Sequence, residues 1–591
     1  MAVKPKIKIK IAGKPVDNYV EMELDQDIYD HHYFRIVIKH DDIEELGAHK
    51  LDKSMDWLGK SVLIDMEKCD FAGIVTSVDM VHSHNHFGDI VVSGYSKTIM
   101  LETAPHKHSW LKKTLKEVVS TLGQAGSDLT IINTPKYTET IDYLAQYDES
   151  HFDFLKRLSI TYGEWLYYDG ANLVFGEPKS MPTIPLVFGK DADNIKIGIN
   201  IKNVKYERVS YHSKRKEAMG GATQNSVSGL DDLGGHAFSV AQKVFNFKGR
   251  SHTTTRIPNK GSLDDYLKKT QAASAADLSV VEGRSKQRGI RPGAIIELTS
   301  EAKKNGKFPS RTYGSYLVIS TKHYSSSACN YANVFKAIPA GVKVLPTPKV
   351  KNPQVYPELA KVISNEDPDG KGRVQVQTQW QDAAEGLSTG WVRVMSPNAG
   401  NSGAVSTNRG FMFVPEPDDE VILGYRYGDP SRPFVMGSVY NGMTGAGGDT
   451  NNRIKSITTR TGSTITFDDD EGDGMITISD PSGNTVVMDG AGGISMTAPK
   501  TIAISAGESI SISSPEVVMH GSKNVAVVAG EELNMSGKTT GVGASDSLTV
   551  QGGTVGVMGT GTAGKVTIES LAVSVNGVQT THIQGGLVNI N

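Results

Sequence analysis

TVVMDGAGGISMTAPKTIAISAGESISISSPEVVMH, running from Thr485 to His520, is the stretch on which the fold turns. Apolar residues sit at i and i+2, and the pairs return every eight residues: Val486/Met488, Ile494/Met496, Ile502/Ile504, Ile510/Ile512, Val518/His520. Gly, Ser, Thr, Asp and Lys fill the intervals. Five matching octads are an internal repeat, each one a short strand with two side chains on one face and then a polar corner. Two apolar residues in eight cannot offset the entropy of ordering one chain, since burying a Val or Ile contributes only about 1.5–3 kcal/mol. Three copies around a shared axis resolve the deficit, because inward residues meet each other and strand edges pair between chains. The expectation is a mainly β protein ending in a triple-stranded, intertwined β-helix, with Val486, Met488, Ile494, Met496, Ile502, Ile504, Ile510, Ile512 and Val518 as the trimer core. The 136 residues from 456 to 591 hold 17 octads, which at about 4.8 Å per layer make a shaft roughly 80 Å long. A single-chain β-helix is the competing reading, but its asparagine or aromatic ladders are missing here. After Asn524 the register slips, and pairs return less regularly, ending at Val588/Ile590.

Upstream, the Gly-rich stretch Gly442–Asn452 reads as a linker. Before it, runs at Arg373–Gln379, Trp391–Met395, Phe411–Pro415, Val421–Tyr425 and Phe434–Tyr440 suit a five-stranded Greek-key barrel of the OB type, assigned to 356–441. Residues 346–355 hold three prolines and predict a stiff linker. Residues 1–345 mix strands (Ile7–Ile11, Phe34–Ile38, Ile90–Val92) with two helices. One is expected over Trp110–Leu122, with Leu111, Leu115, Val118, Val119 and Leu122 on one face. The other is expected over Phe152–Tyr162, capped by Ser150. Arg215–Gly235 reads as a loop.

The bulk numbers agree with a large β protein. Of 591 residues 38% are apolar and 62 are Gly, the net charge is −3, and two cysteines occur, Cys69 and Cys329. A near-neutral chain lacks the basic face of a nucleic-acid binder, and two cysteines are no disulfide framework, which suits a reducing compartment of synthesis. The N-terminus alternates basic and apolar residues as a strand does, with no continuous apolar signal region, and no run reaches membrane-span length.

A family resemblance follows from particular residues. Gly372-Arg-Val-Gln-Val-Gln-Thr-Gln-Trp380, Trp391-Val-Arg-Val394, Phe413-Val-Pro-Glu-Pro-Asp-Asp-Glu-Val-Ile-Leu-Gly424 and Gly428-Asp-Pro-Ser-Arg-Pro-Phe-Val-Met-Gly-Ser-Val-Tyr-Asn441 resemble the barrel signature of the VgrG family. Gln146-Tyr-Asp-Glu-Ser-His-Phe-Asp-Phe-Leu-Lys-Arg-Leu158 and Gly163-Glu-Trp-Leu-Tyr-Tyr-Asp169 resemble its hub half, and Ile583–Asn591 is similar to its needle tips. The resemblance implies a phage-baseplate-hub-like region over 1–345, the barrel, and a needle over 456–591. It further implies a homotrimeric, non-enzymatic spike of a type VI secretion system that uses no cofactor. Such a spike is made in the cytoplasm, seated on an Hcp-like inner tube and baseplate, and exported by sheath contraction through a target membrane. It carries effectors and a PAAR-type cap on a tip formed here by Leu587, Val588, Asn589, Ile590 and Asn591. Gln379 stands where the family's usual His precedes the barrel Trp, and Pro417-Asp-Asp-Glu replaces its Gly-Gln-Glu. These departures keep open the spike of a released, phage-tail-like particle. A spike-borne peptidoglycan hydrolase and a β-helical adhesin are the remaining alternatives.

Few residues point to chemistry. His82, His84 and His86 share one face of a strand at metal-ligand spacing, yet a polar hairpin loop explains them equally. His106 and His108 are weaker candidates. His582 would be tripled near a trimer axis, as a metal site or, more simply, a polar plug. Asp468–Gly474 is acidic but breaks the calcium-loop pattern, with Asp473 at the required glycine. Gly559–Gly564 satisfies G-x-G-x-x-G without a following helix. No Walker, G-x-S-x-G or H-E-x-x-H motif occurs, and the roughly ten residues between barrel and shaft leave no room for an inserted enzyme. Arg432 is placed to cross-link its turn through Asp429, or else to be a solvated turn residue.

Overall fold

The computed structural model describes residues 7–45, 50–67, 70–83, 86–213, 215–253, 255–301, 310–326, 330–348, 350–445, 449–560 and 562–589; Cys69, Cys329, His84, Ile590 and Asn591 fall outside them. The chain is mainly β and divides into two compact units, Met1–Pro499 and Lys500–Asn591.

In the first unit a thirteen-stranded sheet runs from Ile295–Ser300 to Lys14–Val16. Its pivot is the sixteen-residue strand Arg311–Ser326. The first half of that strand pairs with Ile295–Ser300, which closes six strands on themselves around Leu186, Val281, Ile296, Leu298, Val318 and Phe335. The second half pairs with Glu21–Asp27 and so joins the seven remaining strands. A bulge between Val318 and Ser320 lies where the partner changes, as expected where a strand must bend between two sheets. Glu21–Asp27 alternates buried and solvent-facing residues, the period-two pattern that fixes register.

The helices follow their capping residues. His151–Tyr162 is capped by Ser150, whose hydroxyl accepts the Asp153 amide at 3.1 Å, and it ends at left-handed Gly163. The helix expected from Trp110 starts five residues later, as Leu115–Gly123. Thr114 and Glu117 form a reciprocal capping box that sets its start, while His106–Thr114 is a strand paired with Thr140–Glu149, so Leu111 belongs to a ladder. The loop expected over Arg215–Gly235 is partly ordered: Glu217–Ala222 pairs with Tyr206–His212, and Asp231 caps the helix Asp232–Val244. Small residues made both segments read as loop. The helix Lys260–Ala275 also went unread from sequence.

The five barrel strands are Glu358–Ser364, Arg373–Thr378, Val392–Arg393, Glu420–Tyr425 and Pro433–Ser438. A bridge from Val394 to Val435 nearly closes the circuit around Val362, Val374, Val376, Val421, Leu423 and Val435. Glu358–Ser364 supplies a strand absent from the sequence reading. Phe411–Pro415 is not a strand, since only Arg409–Gly410 pairs there, with Ala399–Gly400, and Phe411, Met412 and Phe413 are exposed. Residues 346–355 carry no helix or strand among those described. Beyond the barrel, Ile454–Thr458, Thr464–Asp468, Met475–Ser479, Thr485–Met488 and Ile494–Thr497 form an antiparallel meander. In the second unit no described residue is in a helix or strand, and all are exposed. No described helix is long and apolar enough to cross a membrane.

Candidate functional site

Two features of the first unit stand out, a junction and a face. At the junction the hub strand pair His106–Thr114 and Thr140–Glu149 meets the barrel through Glu358. One carboxylate oxygen accepts from the Tyr147 hydroxyl and from Lys107 Nζ at 3.3 Å. The other accepts from Trp380 Nε1 at 3.0 Å and the Tyr425 hydroxyl at 2.8 Å. Burial alone would raise the pKa of Glu358, but the Tyr147, Trp380 and Tyr425 donors and then Lys107 outweigh it, so the carboxyl is held below the ordinary carboxylate range. Alongside, Gln381 donates to Ser109 Oγ at 2.7 Å and the Ala145 amide donates to Ser431 Oγ at 3.1 Å. The motif residues Tyr147, Trp380 and Ser431, which are far apart in sequence, thus converge on one joint. Glu358 itself was missed, because a lone acid at a strand start carries no periodic signal.

The turn beside this joint behaves as its residues suggest. Asp429 and Arg432 pair at 3.0 Å with both side chains mostly buried, and Gly428 adopts φ 69° in the tight reversal. The cross-link reading of Arg432 is therefore the observed one. Arg157 grips Glu149 from the adjoining helix.

The face belongs to the meander. Ladder partners line up as Ile457, Ile465, Ile478, Val486 and Met496 in one row, and Lys455, Phe467, Ile476, Met488 and Ile494 in the next. Directly opposed residues, and residues two apart, share a side, so nine apolar side chains cover one surface. Ser, Thr and Asp predominate on the other, with Ile454, Met475 and Val487. The reversals are held by Asp480 Oδ1, which accepts the Ser482 and Asn484 amides, and by Asp489 Oδ1, which accepts those of Ala491 and Gly493. This Asx-turn chemistry explains why the octads around Val486 and Ile494 fold back within one chain. One chain leaves the face uncovered: Ile494 is 70% and Met496 58% exposed. Ile502, Ile504, Ile510, Ile512 and Val518, in the second unit, are exposed likewise.

The remaining candidates are placed as follows. Leu587, Val588 and Asn589 are exposed, and Ile590 and Asn591 lie outside the described residues. His582 is exposed. His84 and the side chain of His86 lie outside the described residues, so the His82 cluster is not described as a site. His106 and His108 stack at 6.0 Å and are joined by His151 at 5.6 Å from His106. Asp468 and Asp469 are paired with Arg453 and Lys455 at a hairpin turn. No cluster of three or more His, Cys, Asp or Glu suited to a metal occurs among the described residues. No helix follows Gly559–Gly564 among them.

Residues 358–440 match the family model of the type VI secretion system/phage-baseplate injector OB domain, and residues 48–328 match that of the phage tail baseplate hub. The type VI secretion system spike protein VgrG1b of Pseudomonas aeruginosa is 24% identical over 357 residues, 55% of this chain and 45% of that protein. VgrG1a of the same organism is 23% identical over 433 residues, 65% of this chain and 62% of its own length. The chain thus spans under two thirds of either relative. A chain of the half-lidded Francisella PdpA–VgrG complex shares the fold, with a TM-score of 0.51 at 8% identity over 83% of this chain and 88% of that one.

Proposed function

We propose that this chain, which matches the injector OB-domain and baseplate-hub models and resembles VgrG spike proteins, assembles as three copies into the puncturing spike of a contractile injection machine of the type VI kind. The observation that carries this reading is the two-row apolar face over 454–497 and its octad continuation to Val518. A monomer would hold that surface against water at a cost of about 1.5–3 kcal/mol per large side chain. Packed around an axis with two more copies, the same side chains form a dry shaft, and the strand hydrogen bonds of Ile502–Val518 are made between chains. Val486, Met488, Ile494, Met496, Ile502, Ile504, Ile510, Ile512 and Val518 then form the trimer core.

In this proposal the hub-like region 1–345 sits on an Hcp-like inner tube and baseplate, and the Glu358 joint transmits load to the barrel and shaft. Leu587 to Asn591 seat a PAAR-type cap, effectors ride on the assembly, and sheath contraction carries it out of the cell that made it. The role is mechanical, with no catalytic group and no cofactor assigned. Light scattering of the purified chain tests it: the expected mass is three times 63.6 kDa, and a monodisperse single chain at micromolar concentration overturns the reading.

A further inference from the structure

Between hub and barrel lies a cleft of about 390 Å³ whose charged lining side chains are mostly cations. From the hub come Lys112 and Arg256; from the barrel come Arg373, Arg393, Arg426 and Arg432. Three of these are answered by acids: Arg256 by Asp142 at 2.8 Å, Arg373 by Asp367 and Asp369, and Arg432 by Asp429. Arg393 and Arg426 have no acidic partner among the described residues. In a chain of net charge −3, that local surplus of positive charge is a departure from the average surface.

Arg426 is also held still. Its guanidinium donates to the Tyr211 carbonyl at 3.1 Å and to the Tyr427 hydroxyl at 3.4 Å, and it lies 5.3 and 5.1 Å from the two ring centres. Tyr427 holds its place at φ 58°, a left-handed conformation costly for an aromatic residue, and its ring stacks on His252 at 4.4 Å. A solvated surface arginine needs none of this support. Next to it, Arg432 is mostly buried and its Nη2 has no hydrogen-bond partner. A rigid planar fork with unmatched donors suits a pair of anionic oxygens, because little freedom remains to be lost on binding.

We propose that this cleft binds a small oxyanion of the phosphate class, with Arg426 as its anchor and Arg393 and Arg432 flanking it. A carboxylate on another polypeptide presents the same pair of oxygens, and the test separates the two sources. The full chain is titrated calorimetrically at fixed ionic strength with inorganic phosphate and, separately, with a short glutamate peptide. The expected result is saturable binding of phosphate, one per chain, weakened at least ten-fold by Arg426→Gln. Arg393→Gln, an exposed change that leaves the fold intact, should weaken it by a smaller factor. Tighter binding of the peptide than of phosphate, with the same sensitivity to both variants, assigns the site to a protein carboxylate and upholds its chemistry. Absence of saturable binding by either probe, or affinity unchanged in both variants, overturns the proposal.

Discussion

Glu358 gathers four donors from two domains that are otherwise separate in sequence, and of these, among the described residues, only Lys107 also meets a second carboxylate, Asp148 at 3.7 Å. Replacing it with glutamine keeps the size but removes the charge, and turns one amide hydrogen towards groups that themselves donate. A half-satisfied buried cluster of this sort is destabilised by about 2–3 kcal/mol. Native-state hydrogen exchange of the Glu358–Ser364 amides should therefore quicken by roughly 30- to 150-fold in Glu358→Gln; unchanged exchange would show that the joint bears no load. A second residue-scale test concerns His32 and His323, fully buried and linked through Gln26, which lies 3.1 Å from a ring nitrogen of each. Burial pushes both imidazoles down to about 3. Since the unfolded chain takes up these protons near the ordinary 6.5, their contribution is complete above that pH and is lost as pH falls towards 3. Denaturant melts between pH 7 and 4 should lose up to about 1.4 kcal/mol per pH unit per histidine, and His323→Gln should lessen that slope. A slope identical in the variant would assign acid sensitivity to other groups.

Elements differ in how openly the sequence declares them. The octads around Val486 and Ile494 were legible as strands because their side chains repeat at strand spacing, and Ser150 announced its helix by cap chemistry. Trp110–Leu122 misled because a helical apolar stripe continues backwards into a strand, and only Thr114 and Glu117 mark the break. Phe411–Pro415 looked like a barrel strand from its apolar residues, yet those side chains face solvent, while Glu358–Ser364, half of it polar, became the fifth strand by pairing at both edges. The barrel motifs were readable as a set, but their convergence on Glu358 was not, because only the tertiary fold brings Tyr147 to Trp380. The meander offers a control within one strand: Val486 is on the apolar rows and Val487 on the opposite side. Val486→Asp, like Ile502→Asp, should place three unpaired carboxylates in a dry axis and disperse the assembly, whereas Val487→Asp should leave its mass unchanged in sizing chromatography. Equal behaviour of the two neighbours would contradict the face assignment.

At the scale of the molecule, the hub-like sheet and barrel each have an interior of their own, whereas the second unit buries none of its described residues. If the proposed trimer forms, stability of that unit depends on protomer concentration, as for any obligate oligomer. The same logic bears on the end of the shaft. In the proposed trimer, the layer that holds Leu587 and Val588 presents apolar side chains that are exposed in the single chain. A cap that covers this layer recovers burial that the shaft cannot supply itself, while the many layers below hold the three chains together without it. Removing Leu587–Asn591 should therefore leave the light-scattering mass at the trimer value and abolish retention of a PAAR-type cap in a pull-down. Full retention would move the cap contact elsewhere on the spike, and loss of the trimer would mean that the last layers, rather than the octads around Ile502, nucleate the shaft.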